Sequence, residues 1–500
     1  MPRWRLEVLV FLVGAGTLGA EIAAARLLAP WFGASTIVWA NTIAIVLVAL
    51  AVGYAVGGRL ADRRPHPPLL AGIVLVASVL LAIVPLVSGP FLRAAVSAVD
   101  QLSVATFLGS LVGVGALVAV PLLLLGMVSP FALRLRLAAV DDPAQAGRTA
   151  GRLSAIGTVG SLTGTFAASL LLIPVVGTRR TFLVFAALMA LAAVPLVVGR
   201  VRWAAVLVPV AILGLIALPA GSVKSEISGG RVIWEAETEY QYARVIERSD
   251  RSRWLELNEG HAVHSVYRPG AWLTGGYWDE MLGLTLAGGR TPSSVAILGS
   301  AAGTTARQLG HYLPATRVDA VEIDPVVTSV GRSLFDLSGP SLVTHDADAR
   351  PWLAASTQRF DVILVDAYRQ PYIPFYLTTQ EFFSSVRSHL APSGVLILNS
   401  AHPEGSDTLE KALSATLRSV FGPSSVWRNP AQPTNSQLVA TVGVSPVEGL
   451  ASVTAPSDLS SLVDSIASRL EPALAGGSVW TDDRAPVEWL TDLSLAGEID

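Results

Sequence analysis

Residues 361–383 read DVILVDAYRQPYIPFYLTTQEFF. The aliphatic run at 362–365 shows no polar alternation, so it reads as a strand buried on both faces, the pattern of a parallel sheet rather than a half-solvated one. Asp366 stands where that strand emerges. An ionised group at the end of a core strand is costly to leave unpaired, which makes Asp366 the first candidate for chemistry.

Working outward, the sequence from 293 alternates short apolar runs with helical stretches. Strands SVAIL (294–298), VDAVEI (318–323), SLVTH (341–345), FDVILV (360–365) and GVLILN (394–399) are separated by helices at 304–313, 325–335, near 350 and at 378–390. This order predicts βαβ units and a parallel, doubly wound sheet of Rossmann, methyltransferase-like type. Ligands in such sheets bind at the carboxyl ends of the strands. The first strand runs into GSAAGTT (299–305), where Gly299 permits a sharp turn beside Ser300 and Gly303 permits close backbone approach; the spacing is not that of dinucleotide enzymes. Glu322 ends the second strand at about the distance (~20 residues) at which an acid reaches ribose hydroxyls. Asp348, followed by Ala349, comes after the third and is placed to accept a hydrogen bond from an adenine amino group. Together these positions outline an adenosine site. The structural alternative makes Glu322 and Asp348 solvated carboxylates or helix caps, with Asp324 capping before Pro325.

The 500 residues are 52% hydrophobic and only 15% charged, too apolar for an ordinary soluble protein. The excess sits in residues 1–220, which are mostly Ala, Leu, Val, Ile and Gly. The expected organisation is therefore a multi-pass helical membrane domain at 1–220, a small β-rich domain at 221–290 and the Rossmann-like domain at 291–500. A net charge of −3 with scattered arginines gives no footprint for nucleic acid. The absence of cysteine excludes disulfides, thiolate metal sites and cysteine nucleophiles.

A helix needs about 20 apolar residues to cross a bilayer, and seven segments qualify: 8–30, 37–58, 69–88, 104–127, 151–175, 181–199 and 203–219. The first is long and followed by others, so it reads as a span and not a cleaved leader. Arginines at 3 and 5, at 59, 63 and 64, at 134, 136 and 148, and at 200 and 202 place those loops in the cytoplasm. An odd number of spans then puts residues 221–500 outside, while Arg179 and Arg180 fall in an external loop. A stretch at 104–135 forming two segments would reverse this, and a catalytic domain using a cytoplasmic nucleoside is expected inside. Glu21 and Arg26 lie within the first span, where both should face protein or water. Gly53-x-x-x-Gly57 and Gly160-x-x-x-Gly164 permit close helix packing.

Several ordered motifs resemble the spermidine synthase (polyamine aminopropyltransferase) family, and the whole chain is similar to its bacterial membrane-fused branch. ETEYQYARVIE (237–247) and WLELNEGHAVHS (254–265) resemble the small β-domain covering the active site of that family, and GGYWDEML (275–282) stands where it has a tyrosine, a histidine and a glutamate. AILGSAAGTT, VEID, DARPWL, VDAY, LTTQEFF and WTDDRAPVEWL (480–490) then follow in family order. The resemblance implies transfer of an aminopropyl group from decarboxylated S-adenosylmethionine to an amine such as putrescine, without a metal. Gly299, Ser300, Gly303, Glu322, Asp348 and Ala349 would hold the nucleoside, and Asp366 would anchor and deprotonate the amine. Tyr240, Gln241, His264, Asp279, Glu280 and Tyr368 would line the amine side. Neither the acceptor nor a homo-oligomeric state follows from the sequence.

Two departures remove negative charge. The family carries an acid in the glycine loop where this chain has Ala302, and another three residues beyond the catalytic one where this chain has Arg369. His264 replaces an expected glutamine. Arg369 pairing with the carboxylate of ordinary S-adenosylmethionine would turn the site toward methyl transfer, and loss of catalysis would leave a transporter or scaffold with a sensing domain. His261 and His264 are spaced so that a strand sends them to opposite faces, which disfavours a metal pair.

Overall fold

A computed structural model describes residues 2–99, 105–138, 145–219, 221, 223–224, 229–259, 262–369 and 372–495. His261 lies outside them. The chain divides into two units: Met1–Ser225 with Ala236–Tyr242, and Glu226–Glu235 with Ala243–Asp500.

The first unit is helical, with α1 (Arg3–Phe32), α2 (Thr36–Arg63), α3 (Pro67–Val99), α4 (Ala105–Gly126), α5 (Val128–Leu137), α6 (Ala146–Phe166), a π-helical segment Ala167–Leu172, α7 (Ile173–Ala193) and α8 (Val201–Ala217). Among the described residues five helical stretches are long and apolar enough to cross a membrane, the last being Ala146–Leu196. That stretch has 51 residues, about 75 Å at ~1.5 Å per residue and far beyond a hydrocarbon core of ~30 Å. Gly177 breaks it with φ 82° and ψ 166°, so the fifth and sixth apolar segments of the sequence are two arms of one bent stretch. The seventh segment is α8, 17 residues long. Residues 107–137 form one continuous span through α4 and α5, not two segments.

Large apolar side chains are exposed on this unit, including Leu47, Val48, Leu170, Leu207 and Trp203, as expected of helices whose outer faces meet lipid. The glycine pairs act at helix contacts. A Cβ on Gly160 or Gly164 would lie 2.1 or 2.0 Å from the carbonyl oxygens of Phe11 or Ala15 on α1, and one on Gly53 would lie 2.2 Å from Leu123 O. The Arg26 guanidinium donates to the carbonyls of Thr238 and of Glu239, the latter at 2.9 Å.

In the second unit β1 (Gly230–Glu237), β2 (Tyr242–Arg248), β3 (Arg253–Leu257) and β4 (Val263–Tyr267) form a sheet in that order. After α9 (Tyr277–Leu284) come β5 (Ser294–Leu298), α10 (Thr304–Tyr312), β6 (Arg317–Glu322), α11 (Pro325–Leu334), β7 (Leu342–Asp346), α12 (Ala349–Ala355), β8 (Phe360–Val365), α13 (Gln380–His389) and β9 (Leu390–Ala401). The chain finishes with α14 (Thr408–Phe421), β10 (Val426–Gln432), β11 (Asn435–Thr441), α15 (Pro446–Ser452), α16 (Ser460–Arg469), β12 (Glu471–Pro472) and α17 (Val487–Leu495).

The main sheet has eight strands in the order β12-β10-β11-β9-β8-β5-β6-β7. Strands β5 to β9 are parallel, and β11, β10 and β12 extend the edge antiparallel. The five strands read from the sequence are thus parallel, as expected, and the antiparallel strands beyond them make the whole sheet mixed. Apolar clusters cover both faces, one containing Leu298, Ile363, Phe382 and Leu413, the other Ile297, Leu364, Leu309 and Ile466. Alternate residues of β5 and β8 thus serve opposite layers, which is why those strands read as unbroken apolar runs.

Candidate active site

The strand order reverses between β5 and β8, and at this switch point adjacent strand ends open a crevice. Asp366 N–H donates to Leu298 O at 2.9 Å, so the end of β8 is tied to the end of β5. The glycine loop begins at the same place. Gly299 has φ 92°, and a Cβ there would lie 2.5 Å from both Ala367 Cα and Asp366 O; only glycine lets the loop pass beneath the Asp366 segment. Gly299 N and Ser300 N both donate to Val321 O at 3.0 Å. Gly303 (φ 90°) opens α10 with Leu337 packed where a Cβ would be.

Glu322 closes β6 against that loop. Its Oε2 accepts from Ala301 N at 2.9 Å and its Oε1 from Asp324 N at 3.1 Å. Burial pushes its pKa up to about 7, with the Asp324 charge adding to it and the backbone hydrogen bonds opposing it. Ser300 Oγ is buried without a hydrogen-bond partner, the kind of donor a fold leaves open for a ligand. Asp348 caps α12 by accepting from Arg350 N at 3.1 Å and takes the Tyr376 hydroxyl at 3.1 Å. Capping and ligand reach coexist there, since a carboxylate has about four acceptor sites. Asp324 caps α11 through Val326 N at 3.0 Å. Ala349 is buried in the core beneath.

Asp366 is partly exposed as a residue, but its carboxyl is enclosed. Oδ1 accepts from Asn399 Nδ2 at 2.7 Å, and Oδ2 accepts from the Tyr277 hydroxyl at 3.1 Å. Burial raises its pKa to about 7, helped by the Glu322 charge and opposed by the Asn399 and Tyr277 hydrogen bonds. A carboxyl so poised can take and return a proton near neutrality. Tyr368, two residues on, donates its hydroxyl to Asn399 O at 3.0 Å and accepts from Ala401 N at 2.8 Å, so the hydroxyl is spent fixing the end of β9.

Tyr277 and Asn399 escaped the sequence reading. Tyr277 lies in the quoted GGYWDEML, where the two acids drew attention instead, and only the fold joins it to a partner 89 positions away. Asn399 did carry a signal. It is the polar residue at the end of the quoted strand GVLILN, as Glu322 and Asp366 are at theirs.

The residues expected on the amine side behave differently from one another. Asp279 is buried and spent on Thr274 N, Thr274 Oγ1, Gly275 N and Gln308 Nε2 at 2.6 to 3.0 Å. Glu280 is paired with Arg469 at 2.6 Å and accepts from Asn429 at 2.9 Å. His264 sits at an irregularity in the β3/β4 ladder; burial pushes its pKa down to about 4, and Nε2 has no partner. Tyr240 and Gln241 lie in the turn before β2, grouped with the helical unit, and their N–H groups donate to Thr238 Oγ1 at 3.1 and 3.0 Å. Ala302 is fully buried in a cluster with Ala243, Val245, Leu255, Val330 and Phe335. Arg369 is exposed, its backbone bridged to Tyr372. Among the described residues no three of His, Asp and Glu gather where they could hold a metal ion.

Residues 276–435 match the spermine/spermidine synthase domain. A protein of Bifidobacterium longum described as a probable polyamine aminopropyl transferase is 36% identical over 278 residues, 51% of this chain and 61% of its own. The polyamine aminopropyltransferase of Vibrio vulnificus is 32% identical over 197 residues, 38% of this chain and 62% of its own. The chain thus spans about three fifths of the length of these two relatives. The polyamine aminopropyltransferase of Mycobacterium tuberculosis is 27% identical over 457 residues, 83% of this chain and 81% of its own, an alignment long enough to include helices of the first unit. Residues 276–435 are thus similar to the spermine/spermidine synthase domain, and the chain as a whole to proteins described as polyamine aminopropyltransferases.

Proposed function

We propose that the second unit is an aminopropyltransferase that moves the aminopropyl group of decarboxylated S-adenosylmethionine to a primary amine of the putrescine class, in a protein held in the membrane by its helical unit. The observation that carries this reading is the Asp366 carboxyl, held at the β5/β8 switch point against the glycine loop by two neutral donors and, among the described residues, no cation. A nucleoside seated on Gly299 and Gly303, with its ribose against Glu322 and its adenine toward Asp348, would have its sulfonium facing Asp366. The buried, unpartnered Ser300 Oγ fits such a guest.

In the reaction the amine lone pair attacks the propyl carbon bonded to sulfur. The new C–N bond forms as the C–S bond breaks, and its electron pair goes to sulfur, which leaves as a neutral thioether. An ammonium has no lone pair, so a proton must leave the nitrogen, and Asp366 accepts it. Fixed donors on both carboxylate oxygens aim the remaining lone pairs, and positioning supplies much of the acceleration of such a displacement. The exposure of Arg369 supports aminopropyl transfer over a site built round the carboxylate of ordinary S-adenosylmethionine.

The test is an assay of purified full-length protein with putrescine and each sulfonium donor, beside Asp366→Asn. Aminopropylated product from the parent, formed at least about 10²-fold more slowly by the variant, is the expected result. Methylated product would replace the reading with a methyltransferase, and no product from either donor with a panel of amines would leave a sensing domain.

A further inference from the structure

The internal contacts of the helical unit fix which of its ends the chain leaves from. At one end Arg5 donates to Pro195 O at 3.3 Å, Arg152 and Arg136 reach Glu7 at 3.0 and 4.0 Å, and Arg134 pairs with Asp62 at 3.1 Å. The start of α1, the end of α2, the end of α5, the start of α6 and the end of α7 therefore meet there. At the other end Arg179 donates to Pro219 O at 3.0 Å, just past α8, and Thr178 N donates to Glu237 Oε2 at 2.6 Å beside the Gly177 bend. Arg26, near the end of α1, holds the carbonyls of Thr238 and Glu239. Seven crossings alternate between these ends: α1, α2, α3, the α4–α5 stretch, α6 with its continuation to the bend, α7 beyond it, and α8. The start of α8 follows closely on Pro195, which Arg5 holds at the first end, and its far end leads to the Pro219 contact at the second.

Arginines flank the short connections at the first end, with Arg63 and Arg64 at the close of α2, Arg134 and Arg136 at the close of α5, and Arg200 and Arg202 at the opening of α8. Short loops rich in arginine stay in the cytoplasm, whereas long following domains cross largely regardless of their own charge. At the second end Arg26 and Arg179 are committed to backbone carbonyls of the outgoing chain. We propose that the chain leaves the helical unit on the non-cytoplasmic side, so that the family domain lies outside the cytoplasmic membrane. This reverses the expectation drawn from where a nucleoside donor is made. Taken with the proposed chemistry, it requires that the sulfonium donor and the amine reach the domain from the outer side, supplied by export across the membrane.

The sequence contains no cysteine, so single-cysteine variants of the full chain report accessibility without background. Ser384→Cys and Thr357→Cys mark exposed positions of the second unit; His66→Cys and Arg64→Cys mark the α2–α3 connection. With a membrane-impermeant maleimide on intact cells, or spheroplasts where an outer envelope blocks the reagent, the first pair should label as fully as after permeabilisation and the second pair only after it. The opposite pattern, or equal labelling of both pairs in sealed cells, overturns the proposal. The readout is independent of turnover, so an inactive protein would remove the enzymatic reading without touching this one. Two positions per side keep the result interpretable if one variant fails to accumulate.

Discussion

Strand β8 holds a carboxylate near each end, and the fold treats them in opposite ways. Asp361, at the start, accepts from Ser293 N at 2.7 Å, Ser293 Oγ at 2.6 Å and Ser294 N at 3.3 Å, and pairs with Arg290. Burial alone would raise its pKa, but the Ser293 hydrogen bonds and the Arg290 charge outweigh burial and hold it below the ordinary carboxylate range. Asp366, just beyond the end, has among the described residues two neutral donors, no cation and a neighbouring acid, and its pKa is raised to about 7. Burial is common to both. What separates them is whether the chain completes the coordination of the charge itself. A structural carboxylate is satisfied by its own fold, whereas one left short of donors is available to a ligand.

The largest test of this contrast exchanges each acid for its amide. Asp366→Asn should lower kcat by about 10²–10⁴-fold while leaving donor binding, measured by calorimetry, nearly unchanged. Asp361→Asn should do the reverse. It loses acceptor capacity toward Ser293 and Ser294 and should destabilise the unit by about 2 kcal/mol, with the folded fraction still turning over. The Arg290 pair adds little because that guanidinium is more than half exposed. Abolished turnover in a fully folded Asp361→Asn protein would break the comparison.

Stability should also respond to pH with opposite signs at the two ends. Asp366 binds its proton more tightly folded than unfolded, so it favours the fold at pH below the ordinary carboxylate range and loses that contribution as pH rises toward 7. Asp361 binds its proton less tightly folded, so its contribution is present above the ordinary range and lost as pH falls through it. Thermal midpoints should therefore show Asp366→Asn gaining on the parent as pH rises from the ordinary carboxylate value of 3.8 toward 7, and Asp361→Asn falling behind the parent as pH rises through the acid range up to that value.

A smaller effect sharpens the assignment of Asp366 as the base. kcat/KM should rise with pH through about 7 as its carboxyl ionises. Asn399→Leu and Tyr277→Phe each remove a donor to the charged form, so each should move that limb to higher pH. Glu322→Gln removes a neighbouring negative charge and should move it lower, while raising KM for the donor. Limbs that move together in all three variants would assign the titration to another group.

How much of this was legible follows from what each residue answers to. Central strands were readable because SVAIL and FDVILV are buried on both faces and tolerate no polar alternation. Strand-end acids were readable because the fold class says where strands open. The antiparallel edge was not: β10 contains Arg428, Asn429 and Pro430, with a register shift between Asn429 and Gln432, and Asn429 Nδ2 donates to Gln437 and Glu280 where an apolar run would announce a strand. Tyr277 escaped for a related reason, since a hydroxyl at the start of α9 acquires meaning only when the sheet brings Asp366 to it. The bend at Gly177 was hidden because apolar composition marks crossings but not whether two of them share one helical stretch.

The smallest expected effect concerns the charge reversal beyond Asp366. Arg369 would change donor choice only if its guanidinium faced the crevice, yet the residue is exposed and its backbone is pinned by paired hydrogen bonds with Tyr372 at 2.8 and 3.1 Å. An exposed cation contributes at most about 1 kcal/mol to a nearby charge, and salt weakens it further. Arg369→Ala should therefore alter the ratio of affinities for the decarboxylated and ordinary sulfonium nucleosides by less than about tenfold, shrinking toward unity as ionic strength rises. Calorimetry of both donors at two salt concentrations reads this directly. A larger, salt-insensitive change would mean that Arg369 turns inward when a donor binds, and it would move this side chain from the solvated rim to the same footing as Asp366.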